Sequence, residues 1–169
     1  HGLFLGFWGN VRWGQTELET PGNRVGATLE LPDGDLLVSV VTKLYLLRAG
    51  AEKAEVIASP PAEITGFTRI ENTLWAITVD GDLYRTTVTP PFTFIQTSKL
   101  PGAVWPKLYN LAQTLIVASA DGVRFGEQFR PVERTAGLRN PHLATTADGT
   151  LWLLGEQDGE QRLGRLRQT

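Results

Sequence analysis

Five stretches of this chain repeat one pattern, an apolar strand led by leucine that runs into a tight turn and then a second strand. They are LFLGFWGN from Leu3, LLVSVVTK from Leu36, LWAITVDG from Leu74, LIVASADG from Leu115 and LWLLGEQDG from Leu151. Their lead leucines are separated by 33, 38, 41 and 36 residues. A recurring unit of supersecondary structure cannot bury its apolar face alone and must stack on its neighbours, so the repeat decides the fold class before any single residue does.

The turns after these strands include Gly9-Asn10, Asp80-Gly81, Asp121-Gly122 and Asp158-Gly159. Such pairs supply the positive φ that two-residue hairpins need. The strands that follow, VRWGQ, LYLLR, DLYRTT, VRFGEQ and RLGRLRQ, carry an outward polar rhythm, and VRWGQ from Val11 returns almost unchanged as VRFGEQ from Val123. Pro21-Gly22, Pro60-Pro61, Pro101-Gly102 and Ala136-Gly137 close the units. RVGATLEL, EITGFTRI, VWPKLYNL and NPHLATT then lead into the next core strand. A full unit therefore holds four strands, here called a to d, with the leucine-led strand as b.

A period near 40 residues containing only strands predicts an all-β chain, a β-propeller with about five blade-like repeats of four-stranded antiparallel sheets. The repeats fall at about 1–23, 24–62, 63–103, 104–139 and 140–169 within one propeller domain. The first repeat lacks strand a and the last lacks strand d. Five complete units would need about 190 residues, so either the circle closes with two thin blades or the chain is part of a larger ring. A β-sandwich is the alternative reading, since it also gives short strands at regular turns; the similarity between units favours the propeller. Helical propensity is confined to AGAEKAEVIA at 49–58. Ten residues are marginal for a helix, and the place in the repeat predicts a turn and a strand there, with at most one helical turn.

Composition narrows the function classes. The 169 residues carry 16 Lys and Arg against 18 Asp and Glu, a net charge of −2 with no basic stripe. No nucleic-acid partner is expected from that balance. The chain has no cysteine, which excludes disulfides, thiolate metal sites and a cysteine nucleophile. No apolar run approaches the roughly 18 residues needed to span a bilayer, so no membrane insertion is expected. The sequence begins at His1 and contains no Met, which sets the expectation that the natural start precedes it, with two readings open: a cleaved leader, or an excised fragment in which His1 is native or left from a tag.

The unit TLWAITVDGDLYRTTVTPPFTFIQTSKLPG at 73–102 resembles the Asp-box, or BNR-type, propeller repeat of bacterial neuraminidases, photosystem II assembly factors and sortilin-like receptors. In those families an Asp-Gly turn leads to an aromatic residue and then to Ser/Thr-x-Asp-x-Gly-x-Thr-Trp. Tyr84-Arg85-Thr86-Thr87 and Thr93-Phe94 match the flanks, while Val88 stands where the box has Asp. Tyr45 and Gly50 are kept in the second repeat, again without the Asp. TADGTLWLLGEQDG near the C-terminus is similar to the sensor-type propeller repeat of two-component regulators. The resemblance implies the fold; on such folds function lives in the site.

The family's best-known chemistry is sialidase hydrolysis, which the resemblance implies would require an arginine cluster, a tyrosine nucleophile with its glutamate, and an acid. Tyr45, Tyr84 and Tyr109 all lie in strand patterns where an aromatic packs. His1 followed by Gly2, with His142 as partner, resembles the histidine brace of copper monooxygenases, but the chain lacks that family's sandwich pattern. Asp80, Asp121 and Asp158 read as a carboxylate ring for calcium or as hairpin residues, and their position before Gly favours the turn. Asp33-Gly34-Asp35 and Asp148-Gly149 read as a–b turns. No phosphate loop and no nucleophile elbow is present. The expectation is a chain with no catalytic residues, metal or cofactor.

Among the tryptophans, Trp75 and Trp152 follow lead leucines and are predicted to be core. Trp8 ends strand b of the first repeat, and Trp105 follows Pro101-Gly102. Propellers bring b–c and d–a loops to one face, so Trp8, Asn10, Arg24, Lys43, Trp105, Arg139 and His142 are predicted to converge as a binding surface. Exposed aromatics and arginines are the usual anchors of interfaces. The partner expected is a protein or a glycan, with two other readings open: a fragment of a propeller glycoside hydrolase, and a blade array whose ring a partner chain completes. An extracytoplasmic location is expected.

Overall fold

The computed structural model describes residues 25–51, 53–146 and 150–166, together with the backbone of 3–4, 12–13 and 16–17. Among the described residues, eighteen strands fall into five antiparallel sheets, each built from consecutive strands. The first sheet holds β1 (Leu3–Phe4), β2 (Arg12–Trp13) and β3 (Thr16–Glu17). The second holds β4 (Val25–Glu30), β5 (Leu36–Val40), β6 (Lys43–Leu47) and β7 (Glu55–Ala58). The third holds β8 (Ile64–Ile70), β9 (Thr73–Thr78), β10 (Asp82–Thr87) and β11 (Ile95–Lys99). The fourth holds β12 (Lys107–Leu111), β13 (Thr114–Ser119), β14 (Gly122–Phe125) and β15 (Arg130–Pro131). The fifth holds β16 (Arg139–Thr145), β17 (Leu151–Gln157) and β18 (Glu160–Leu166).

This is the β-propeller arrangement of blade-like repeats, with three described strands in the first and last sheets and four in the others. A sandwich would need strands that cross between sheets, and every sheet here is a sequential meander. The segment after Arg48 contains a turn and then β7, and no helix among its described residues. Among the described residues the one helical turn is a 3₁₀ turn at Glu133–Thr135. Thr135 closes it by donating its hydroxyl to the Val132 carbonyl at 2.8 Å, a local side-chain bond of the kind that ends strands.

The chain divides into two compact units, 1–65 and 66–169. In the first, Leu36, Val38, Val40, Tyr45 and Leu47 form a buried cluster with Val25 and Ala54 against it. Asp33-Gly34-Asp35 forms the expected a–b turn: Leu31 N–H donates to the Asp35 carbonyl at 2.7 Å. The nearly buried Asp35 carboxylate accepts the Ala49 N–H at 2.8 Å.

In the second unit the sheets stack face on face. Trp75, Ile77 and Leu83 of the third sheet share a core with Leu108, Leu115 and Val117 of the fourth. Ile116 and Val123 of the fourth share a core with Leu138, Leu151 and Leu153. The first strands converge until backbone meets backbone. A Cβ on Gly66 would lie 2.6 Å from the Leu108 nitrogen, so only glycine lets β8 approach β12 this closely.

The turns depart from sequence expectation in detail. Asp158-Gly159 is the expected two-residue turn, with φ of 55° and 79°. Val79-Asp80-Gly81 is instead a three-residue loop, in which Gly81 at φ 82° donates its N–H to the Thr78 carbonyl at 2.9 Å. Three-residue hairpin loops place a left-handed residue last, and glycine fills that place.

Candidate functional site

Strand order places the b–c turns and d–a loops of the second unit at one end of its sheets, and hydrogen bonds tie them together. Ala120, in the β13–β14 turn, donates its N–H to the Val104 carbonyl at 3.4 Å and accepts the Asn140 N–H at 2.9 Å. The Ser119 hydroxyl accepts the Val104 N–H at 3.1 Å. Leu100 N–H donates to the Gly81 carbonyl at 2.9 Å. The loop before β12 and the loop before β16 are thus held on either side of one turn, and Trp105 and Arg139 are presented at the same end.

Trp105 has φ 48° and is 39% exposed. Left-handed backbone is uncommon for a bulky side chain; Pro106 follows it and opens the way into β12. Val104 beside it is also exposed. Asp121, in the bridging turn, forms a two-pronged pair with Arg124, at 3.0 Å from Nη1 and 2.6 Å from Nη2. The Arg124 hydrogen bonds hold the Asp121 carboxyl below the usual carboxylate range against the opposing pull of partial burial. Lys99 and Asp82 form a second pair at 3.2 Å. The end therefore offers an aromatic and a guanidinium on a framework of neutralised charges. It can bind flat apolar or acceptor-rich groups.

Of the seven residues predicted to converge, Trp8, Asn10 and Arg24 lie outside the described residues. Lys43 opens β6 in the first unit and is exposed. Trp105 and Arg139 share the loop end of the second unit. Arg139 and His142 belong to β16 rather than to a loop, and both are exposed. A bulge between them, with Asn140 at φ 47°, puts Arg139 opposite Glu156 and His142 opposite Leu154 on one face.

Trp152 corrects the sequence reading. It is 38% exposed, whereas Trp75 at the same repeat position is 7% exposed. The burial of β17 alternates, with Leu151, Leu153 and Gly155 buried and Trp152 and Leu154 exposed. Both faces of β9 are covered. Trp152 instead lies under the Arg165 guanidinium, 5.9 Å from the ring centroid. This open sheet face was missed in the sequence, because the leucine-led repeat marks strand b without saying whether a neighbour covers it. The Asp121–Arg124 pair has the three-residue spacing as its one sequence signal.

Asp80, Asp121 and Asp158 occupy separate turns, and among the described residues no group of three His, Asp or Glu side chains is placed to hold a metal ion. No helix is long and apolar enough to cross a membrane among the described residues.

No family model and no curated protein matches the chain. Solved structures do. The extracellular domain of a one-component system of Bacteroides thetaiotaomicron aligns with TM-score 0.59 at 12% identity, over 85% of this chain and 21% of that one. PorZ, a surface component of the type-IX secretion system of Porphyromonas gingivalis, aligns with TM-score 0.56 at 15% identity, over 97% and 24%. BamB from Moraxella catarrhalis aligns with TM-score 0.54 at 15% identity, over 93% and 52%. The chain spans between about a fifth and a half of the length of these structures. These neighbours are β-propeller-like, and at such identities what the likeness shows is the fold: this chain has the β-propeller architecture.

Proposed function

We propose that this chain is a non-catalytic binding or assembly module that holds a protein or a glycan at the loop end of its second unit. The observation that carries the reading is the presentation of Trp105 and Arg139 by three backbone-tied loops. Loops pinned in this way lose little entropy on binding, which makes a small aromatic and cationic surface effective. Propeller-like neighbours in a surface secretion component and an extracellular domain support an assembly or sensing role in an extracytoplasmic setting.

The repeat is of the Asp-box type in this reading. The supporting detail is the loop after β10. The Thr86 hydroxyl accepts the Thr93 N–H at 2.9 Å, and Val88 is buried where the box has its carboxylate. A hydroxyl therefore organises this loop. Tyr84 and Tyr109 support a non-catalytic role. Burial pushes the Tyr109 phenol up, partly offset by a backbone hydrogen bond from Leu143. Burial and then the Asp82 carboxylate push Tyr84 up. An activated nucleophile needs the opposite direction.

A glycan array probed with the labelled chain, beside the Trp105→Ala/Arg139→Ala double variant, tests the glycan branch. Binding that the double variant loses, with an unchanged melting temperature, is the expected result. Binding that survives the double variant would move the site elsewhere. A panel of fluorogenic glycosides tests the non-catalytic claim, since turnover abolished by changing one carboxylate would overturn it.

A further inference from the structure

The loop-end reading leaves the opposite end of the fourth sheet unused. The β14–β15 turn lies there, since antiparallel strands alternate their turns between the two ends. It forms one wall of a groove of about 600 Å³ whose other wall is β11 of the third sheet. Thr97 and Ser98 line the β11 side, and Phe125, Glu127, Gln128 and Arg130 line the turn side. That volume falls in the range of small-ligand sites, roughly 300–1,000 Å³. Both walls belong to adjoining sheets of the second unit, which share one core.

Hydrogen bonds fix both walls before any ligand arrives. Gly126, at φ 69°, donates its N–H to the Leu115 carbonyl at 2.8 Å, and the Phe129 N–H closes the turn on the Gly126 carbonyl at 3.1 Å. The Ser98 hydroxyl donates to the Glu127 carbonyl at 2.8 Å and ties one wall to the other. On the β11 side a bulge leaves Thr97 without a cross-strand partner, between Gln96 opposite Tyr84 and Ser98 opposite Leu83. Bulges of this kind re-aim side chains and recur beside binding sites. A groove held in this way needs little ordering when it is filled.

The lining selects the ligand. Glu127 and Arg130 carry opposite charges, so the groove has no net sign with which to attract an anion or a cation. Gln128 Oε1 accepts both Nε and Nη2 of Arg130, at 3.2 and 2.9 Å. That pairing orients the guanidinium against a neutral amide and leaves its remaining N–H donors to a ligand. Phe125, directly opposite Arg130 on the neighbouring strand, is 38% exposed and supplies an apolar border. Donors, a carboxylate acceptor and an aromatic in one neutral groove match a sugar, whose hydroxyls donate and accept and whose C–H face is apolar. An extended peptide would need a sheet edge to pair with. The β11 edge is interrupted at Thr97, and β15 is two residues long and ends in Pro131, which has no N–H to offer. We propose that this groove binds a neutral oligosaccharide, with a sugar ring against Phe125 and its hydroxyls on Glu127, Gln128 and Arg130. The site is separate from the loop end and stands or falls without it.

Two-dimensional amide NMR of the full labelled chain tests the proposal, with neutral gluco-, manno-, galacto- and xylo-oligosaccharides titrated to about 10 mM so that weak binding registers. At least one sugar class should shift the amides of Thr97, Ser98, Gly126, Glu127 and Gln128 while those of Val104, Trp105 and Asn140 stay in place. Phe125→Ala and Arg130→Ala, both at exposed positions, should each weaken that binding by about ten-fold or more and keep a folded spectrum. Gln128→Ala, in the exposed turn, is the second variant should Phe125→Ala misfold. The Trp105→Ala/Arg139→Ala chain should bind as the unaltered one does, which separates this groove from the loop end. No shift with any of the sugar classes would overturn the proposal. So would binding indifferent to Phe125→Ala and Arg130→Ala, or shifts confined to the loop-end amides, a result that would leave the loop-end reading standing. A response to sulfated oligosaccharides or extended peptides alone would overturn it as well, because the groove would then be reading charge or a strand edge.

Discussion

The third and fifth sheets carry the same word at the same repeat position, Leu-Trp, and treat it in opposite ways. Trp75 is closed between its own sheet and the fourth, while Trp152 faces outward under Arg165. Nothing in the local sequence separates the two. What differs is the neighbour among the described residues: β9 has its Trp75 face covered by a leucine-led strand, and β17 packs on the side of Leu151 and Leu153. In a stack of similar sheets, burial belongs to the junction rather than to the strand, and nearest-neighbour interfaces set stability.

The sharpest way to break the comparison is to truncate both tryptophans. Trp75→Ala should cost about 3–5 kcal/mol, the range for deleting a large aromatic from a packed core. Trp152→Ala, measured by urea unfolding of the dilute chain, should cost less than about 1 kcal/mol, because the side chain keeps much of its water and its cation–π contact is worth ~0.5–1 kcal/mol at an exposed site. Equal losses would mean that the fifth sheet is covered in solution even at low concentration.

The same contrast shows how far sequence reasoning reaches. Strand order, the four-strand unit and the shortened first and last repeats followed from the spacing of the lead leucines and from the Pro and Gly that close each unit. The positions that escaped depend on contacts between repeats. Trp152 looked like core because Trp75 is core. The 3₁₀ turn at Glu133–Thr135 has no periodic signal and exists because Thr135 finds the Val132 carbonyl. Several a–b and b–c turns use left-handed residues without strong turn chemistry, such as Val41 at φ 52° and Ala112-Gln113 at φ 47° and 65°. Pairing of the flanking strands imposes those angles against local preference. Arg139 and His142 were assigned to a loop surface from their place after Ala136-Gly137; β16 begins at Arg139 and carries both on a sheet face.

The b–c turns of the same two sheets give a smaller version of the comparison. Gly81 and Gly159 have nearly equal φ, 82° and 79°. A Cβ on Gly81 would press inside contact distance of the Leu100 carbonyl and 2.9 Å from the Ala103 Cβ, while one on Gly159 would meet nothing within 4 Å. Both alanine variants incur the left-handed backbone cost of about 1–2 kcal/mol. Gly81→Ala should add to it by displacing the loop that Leu100 anchors. Thermal unfolding should therefore rank Gly81→Ala clearly below Gly159→Ala, and the gap measures the loop contact alone. Identical melting temperatures would show that the loop before β12 yields freely, which would also weaken the case for a preorganised Trp105.

The smallest expected effect concerns the turn between those two in sequence. Asp121 is held below the ordinary carboxylate range, first by the Arg124 hydrogen bonds, so its folded-state titration lies below its unfolded one. Its contribution is therefore fully present above the unfolded value, about 4, and fades as pH falls through the folded value. The Asp121 side chain is 55% exposed and the Arg124 side chain 21% exposed. Solvent screening then limits the pair to a fraction of a kcal/mol, roughly 0.2–1 as for exposed ion pairs. Asp121→Asn should lower stability slightly at neutral pH, and its curve should approach that of the unaltered chain below about pH 4. Glycan or protein binding at the loop end should follow the same acid limb if the bridging turn positions Trp105 and Arg139. A binding profile flat to pH 3 in the unaltered chain would show that the Val104–Ala120–Asn140 backbone bonds hold the site without help from the Asp121–Arg124 pair.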